Sequence, residues 1–178
     1  MTEGRIGRLD RAADAAIEPL RRNRAVARVF GAASRVGDFS VVWHVTGLVR
    51  AVGSTARLRE AVFLSCALGV ESLVVNQGVK RMFRRERPTV SGDGRFDVRT
   101  PSTSSFPSGH ASSATFAVIV LAGFAGWPVS WLFVVVGVTV ALSRVVVRIH
   151  HMSDVVGGIA FGALLGAVAR AAAGAVLG

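Results

Sequence analysis

Residues 107–154, PSGHASSATFAVIVLAGFAGWPVSWLFVVVGVTVALSRVVVRIHHMSD, decide the fold. From Ala111 to Ala141 the stretch has no charged residue. Two apolar runs, Ser108 to Ala125 and Val129 to Ile149, are separated only by Gly126-Trp127-Pro128, a turn signal. The pattern predicts two helices that run out and back. Residues able to do chemistry gather at the ends: Ser108, Gly109 and His110 where the first run begins, Ser143, Arg144, His150 and Asp154 where the second closes. Running out and back brings those ends to one side.

Working outward, Glu60 to Val79 reads as a further apolar helix carrying Glu71, Asn76 and Gln77, residue types that face a protein interior when they occur in a span. Phe39 to Val52 is shorter, with His44 inside and Arg50 near its end. It spans if the helix begins near Ser34 and Arg50 snorkels. Asp154 to Leu177 is rich in Gly and Ala. Its Gly158 and Gly162, four apart, permit close helix contact, although ordinary low-bulk packing uses the same spacing and no dimer is inferred. Leu9 to Arg28 predicts helix, bent or split at Pro19. That segment is expected on the membrane surface with arginines on anionic headgroups, the alternative being a cytosolic arm or packing helix. The expected architecture is all-α: a polytopic membrane helical bundle with about five transmembrane helices plus an N-terminal amphipathic helix. It forms a single domain over 1–178, with a surface segment at 1–35 and a catalytic core at 60–177.

Charge supports this arrangement. Half the residues are apolar, yet the net charge is +10. Met1 to Arg35 holds eight arginines, and the loop from Lys80 to Arg99, with Pro88, Gly92 and Gly94, holds seven basic residues. A nucleic-acid-binding protein would set its arginines along a groove-facing helix. Here they lie between apolar stretches, which points to the bilayer and not to nucleic acid as partner. The expected location is the plasma membrane, multi-pass. Basic residues favour the cytoplasmic side, so the N-terminus and, two crossings later, the Lys80 to Arg99 loop are expected there, with the active site facing the cytoplasm. Cys66 is the lone cysteine, so no intrachain disulfide forms and packing is its expected role. The N-terminal segment is too polar for a signal peptide.

The ends of the runs hold what one phosphate needs. Lys80, Arg87 and Arg144 supply concentrated positive charge. Ser108 adds a hydroxyl, and Ser108, Gly109 and His110 open a helix whose free N–H groups attract anions; Pro-Ser-Gly is equally a plain helix start. His150 and Asp154, four apart, share a face if the turn between them is helical, with Ser143 two turns before. A carboxylate on one ring nitrogen fixes the tautomer and leaves the other nitrogen to attack. His110, from another helix, stands opposite as general acid. Three histidines and an aspartate are also a conceivable metal set, but three cations nearby oppose it, and no metal and no cofactor is expected. His151 is assigned to a neighbouring face, toward headgroups. His44 has no evident partner and reads as packing or interfacial.

Lys80 with Arg87-Pro88, then Pro107-Ser108-Gly109-His110, then Ser143-Arg144 with His150 and Asp154, resembles the complete three-part signature of the type 2 phosphatidic acid phosphatase family, over about residues 60 to 177. The resemblance implies a metal-independent lipid phosphate phosphatase. It implies His150 as nucleophile, Asp154 as its partner and His110 as leaving-group acid, with Lys80, Arg87, Ser108, Gly109 and Arg144 on the phosphate. The partner is then a lipid-linked phosphate. Candidates are polyprenyl pyrophosphates, phosphatidic acid, phosphatidylglycerol phosphate and phosphorylated polyprenyl sugars. The Arg-, Ala- and Val-heavy composition looks actinobacterial. In that setting the resemblance favours decaprenylphosphoryl-5-phosphoribose, converted to decaprenylphosphoryl ribose for cell-wall arabinan. A vanadium-dependent haloperoxidase is similar to this family but is larger and soluble. A noncatalytic lipid carrier or scaffold would not need His110, His150 and Asp154.

Overall fold

Among the described residues seven α-helices, α1 Arg5–Arg21, α2 Arg24–Val36, α3 Val41–Ala51, α4 Thr55–Ser72, α5 Gly109–Ala125, α6 Ser130–Val146 and α7 Met152–Leu177, make up an all-α structure. It is a computed structural model that describes residues 4–89 and 93–178. Gly92 of the basic loop, and the first three residues of the segment expected at 1–35, lie outside the described residues. Helix α5 is the central element, packed along α7 and α6 and against α4. Trp43, Leu64, Leu68, Phe116, Val120, Leu121 and Val140 close the main core between α3, α4, α5 and α6.

Local sequence explains the helix ends. Ser54 caps α4 by accepting from Arg57 N at 3.3 Å, and Asn23 caps α2 through Ala25 N at 2.9 Å. Between α1 and α2 the chain breaks just after Pro19, the split that Pro19 predicts. Past Ser72 the helix widens into a π turn, Leu73–Gly78, then tightens into a 3₁₀ turn, Val79–Met82. Those changes of pitch turn the following residues away from where an unbroken α-helix would aim them, and Lys80 ends up buried.

The expectation of about five transmembrane helices is corrected by these helix lengths. Among the described residues one helix, α7 with 26 residues, is long and apolar enough to cross a membrane. Helices α5 and α6 are apolar but have 17 residues each, rising about 26 Å against roughly 30 Å of hydrocarbon. Helix α4 carries Arg57, Arg59, Glu60 and Glu71, and α3 is 11 residues long. The multi-pass plasma-membrane assignment falls with the span count, and so does the tally of crossings that set the active site toward the cytoplasm. What stands is a membrane-associated helical domain. Most of the apolar window of α7 is outside the protein interior. Val156, Leu164 and Val168 on α7 are exposed, as are Leu132, Val135 and Val138 on α6; Cys66 on α4, expected to be buried packing, is exposed as well.

The segment expected on the membrane surface also packs against the bundle. Helices α1 and α2 pack on α6, and α1 reaches α7. Arg21 is buried and donates to the carbonyls of Val145 at 3.0 Å and Val146 at 2.9 Å, satisfying the end of α6. Asp10 is buried and accepts from Ser153 N at 2.9 Å at the start of α7.

Gly158, Gly162 and Gly166 explain how closely α5 and α7 approach. A Cβ at Gly162 would lie 2.2 Å from the Ser112 carbonyl oxygen, and one at Gly158 2.4 Å from that of Ser108. The spacing read from sequence as close packing is an intramolecular contact. Gly162→Ala forces the two backbones apart and is expected to cost about 1–3 kcal/mol, measured as a lowered unfolding temperature in detergent.

Candidate active site

The ends of α4, α5, α6 and α7 converge as the out-and-back reading requires. Lys80, Gly109, His110, Arg144 and His150 line one cavity of about 530 Å³. Arg87 meets it from behind His150, Nη1 to His150 Nε2 at 3.3 Å. Carbonyls lock the Arg87 guanidinium in place: Ile149 at 3.0 Å, Pro101 at 2.9 Å and Thr103 at 3.1 Å. Arg144 is buried, its Nη1 donates to Ser34 Oγ, and its Nε has no hydrogen-bond partner among the described residues. A buried guanidinium N–H left open beside a cavity that Lys80 also lines suits an anion.

His150 lies in a tight turn, not on a helix. Helix α6 stops at Val146, Arg148 takes a left-handed φ of 57°, and α7 starts at Met152. The four-residue helical face expected for His150 and Asp154 is therefore replaced by a turn residue facing the first turn of α7. The pair still meets, His150 Nδ1 to Asp154 Oδ2 at 3.5 Å. A guanidinium only donates, so Nε2 accepts from Arg87, and this assigns the ring proton to Nδ1. Asp154 is held by Ser105 Oγ at 2.5 Å and His151 N at 2.9 Å on Oδ2, and by Arg85 at 2.6 Å on Oδ1.

Two shifts follow from burial. Lys80 is pushed down to about 8, first by burial and then by Arg87 and Arg144. His150 is pushed down to about 3 by burial, which outweighs Asp154, so the ring is neutral throughout the working range.

Other predicted residues are placed differently. Ser108 is fully buried, and its Oγ caps α5 by accepting from Ala111 N at 3.4 Å. Gly109 lines the cavity, with room only for hydrogen beside Asn76: a Cβ would sit 2.7 Å from Asn76 Oδ1. Ser143 is buried against the carbonyl of Val140 at 2.6 Å, within its own helix. His151 precedes α7 and serves Asp154 through its backbone. His44, which had no partner in sequence, bonds Ser65 Oγ at 2.9 Å and lines the same cavity, as do Ser72 and Asn76. Sequence reasoning missed Arg85, Ser34 and Asp38, and placed Ser105 only within a polar stretch, Ser102 to Ser105, expected to cover part of the site. Arg85 ties Asp154 to Asp10 at 2.6 Å and Ser153 at 2.7 Å. None of the four belongs to a spaced motif. Their only sequence signal is that a polar or charged residue borders an apolar run. Among the described residues no three His, Cys, Asp or Glu side chains gather as a metal-ligand set.

The sequence profile of the PAP2 superfamily matches residues 60–175. The chain is similar to decaprenylphosphoryl-5-phosphoribose phosphatase of Mycobacterium tuberculosis, 34% identical over 141 residues, covering 79% of this chain and 77% of that one. It is 39% identical over 129 residues to the protein of the same name from Mycolicibacterium smegmatis, covering 71% and 68%. The fold is similar to the crystal structure of a transmembrane PAP2 type phosphatidylglycerolphosphate phosphatase from Bacillus subtilis. That match has a TM-score of 0.66 at 20% identity and covers 93% of this chain and 87% of the other.

Proposed function

Because this chain belongs to the PAP2 superfamily, we propose that it cleaves the phosphomonoester of a lipid-linked sugar, decaprenylphosphoryl-5-phosphoribose, through a phosphohistidine on His150. Membership makes it a phosphatase, a phosphoric monoester hydrolase. The observation that carries the finer reading is the pairing at His150: Nδ1 toward Asp154, Nε2 toward Arg87.

In this scheme the phosphate enters among Lys80, Arg87 and Arg144 and draws the Arg87 N–H off Nε2. The freed lone pair attacks phosphorus in line, while Asp154 takes up the hydrogen bond from the ring that becomes positive. The ester P–O bond breaks, its electron pair stays on the leaving oxygen, and His110 protonates that oxygen. Water, giving its proton back to His110, then attacks phosphorus; the P–N bond breaks and inorganic phosphate leaves. The cations hold the charge that develops on the phosphoryl oxygens, so the scheme asks nothing of a metal ion.

Two things support a phosphorylated polyprenyl sugar as substrate. The mycobacterial relatives carry that substrate in their name. The cavity that holds the cations is also lined by His44, Ser65, Ser72 and Asn76, polar groups suited to sugar hydroxyls. Phosphate release from a panel of purified lipid phosphates tests this. The phosphorylated decaprenyl ribose should have the highest kcat/KM; equal rates on phosphatidic acid or phosphatidylglycerol phosphate contradict it.

Lys80 sets an alkaline limit. Its ammonium is charged below about 8 and neutral above, so raising the pH removes one phosphate-binding charge. The expected result is a fall of about tenfold in kcat/KM across that pH, most of it in KM. Lys80→Arg, always charged, should remove the limb near that pH and leave the one that the acid His110 sets. An unchanged limb in that variant contradicts the assignment.

A further inference from the structure

His110 is held by a part of the chain that the family profile does not cover. Its Nε2 lies 3.1 Å from Asp38 Oδ1 and 3.1 Å from the Ser34 carbonyl. Both neighbours are acceptors, so Nε2 carries a proton and Nδ1 is the nitrogen left for the cavity. The geometry is built in. Asp38 starts a 3₁₀ turn between α2 and α3, Asp38–Ser40, in which Phe39 and Ser40 have φ of 52° and 59°. Left-handed backbone at two successive non-glycine residues is strained and persists where the surroundings demand it. Gly37 sits flush on the imidazole, where a Cβ would be 2.7 Å from His110 Cδ2. Ser34 Oγ meanwhile accepts from Arg144. One short segment, 34–38, thus touches both His110 and a phosphate-facing cation.

We propose that Asp38 is a positioning residue for His110: with the Ser34 carbonyl it orients the ring and favours its protonated form, making a second histidine–carboxylate pair opposite His150 and Asp154. This rests on His110 being the leaving-group acid. The charges around the ring are Asp38 from the turn, Arg144 from α6, Glu71 from α4, Lys80 and His150 from the cavity wall, and Arg99 beside Asp38. Arg144, Lys80 and the burial of the ring oppose an imidazolium. Glu71 shares its carboxylate with Ser112. Asp38 is the carboxylate in hydrogen-bond contact with His110, so it offsets part of this, while burial and Arg144 still hold the ring below the ordinary histidine value. On cleavage the Nδ1 proton passes to the leaving alkoxide and the ring is left neutral, with Nε2–H still on Asp38. In the second half-reaction Nδ1 takes a proton from the attacking water.

The test uses the full chain in detergent with two probes of equal tail length, an alkyl phosphate and an alkyl-substituted aryl phosphate. Asp38→Asn keeps the shape and removes the charge. It should lower kcat on the alkyl phosphate by about ten- to a hundredfold and on the aryl phosphate much less, since the better leaving group needs little protonation. The alkaline limb of kcat should move to lower pH, with KM little changed, and Asp38→Glu should restore most of the rate. Equal losses on the two probes, or an unmoved limb, overturn the proposal. His110→Ala run in parallel separates the two readings. If His110→Ala discriminates between the probes and Asp38→Asn does not, Asp38 alone is wrong. If His110→Ala shows no discrimination, the acid assignment itself fails. In the His110→Ala background Asp38→Asn should add little, and a full second loss contradicts the pairing.

Discussion

His150→Ala is expected to slow phosphate release by about four orders of magnitude or more, with the chain still folded. The size follows from the role: removing a nucleophile leaves only what binding and the surrounding charge can do for direct attack by water. His150 sits in a turn whose backbone is fixed independently of its ring, with His150 N and Ile149 N both donating to the Arg144 carbonyl, at 3.0 and 3.1 Å. Losing the imidazole should therefore leave thermal unfolding close to that of the parent. Phosphate release and an unfolding curve on the same preparation check both halves. Residual turnover within about tenfold of the parent would remove His150 from the chemistry.

Asp154→Asn is expected to have the second largest effect, about three to four orders of magnitude in kcat, although it changes one atom. An asparagine that turns its amide N–H toward Nδ1 makes that nitrogen an acceptor and moves the ring proton to Nε2, the attacking nitrogen. Arg87 would then oppose a ring N–H with its own donor, across the present 3.3 Å contact. This variant should also lose stability, by about 1–3 kcal/mol, because the bond to Arg85 at 2.6 Å weakens while Arg85 keeps Asp10. The two effects separate in one experiment: kcat measured well below the lowered unfolding temperature still shows the catalytic loss. A variant with near-parental kcat would show that Asp154 serves packing alone.

The proposed catalytic set is legible because its residues sit at fixed spacing beside apolar runs. Lys80, His110, Arg144 and His150 could be assigned to one end of a helix bundle from the direction of each run, and the cavity holds all four. Apolar length was a poorer guide. Val129 to Ile149 reads as one run, but its last residues, Val147 and Ile149, are buried beneath α1 and α2 and belong to the turn that carries His150. Glu60 to Val79 reads as one helix, but the π turn after Ser72 interrupts it. Hydropathy measures burial in anything apolar, so protein packed on protein was counted as span. The supporting shell was hidden for another reason. Arg85 with Asp10, and Asp38 with His110, are separated by about seventy residues in sequence, and no local pattern pairs them. Arg21 of α1 donates to the carbonyls that end α6, about 125 residues away, and no local pattern pairs them either.

The central claim is a covalent phosphoryl group on His150, and the steric course at phosphorus tests it most directly. A phosphorothioate ester made chiral at phosphorus with two oxygen isotopes is hydrolysed by the purified protein in water carrying the third, and the configuration of the released thiophosphate is read. Two successive in-line displacements predict net retention. Net inversion would mean that water attacks the substrate in a single step, and the phosphohistidine account would be wrong.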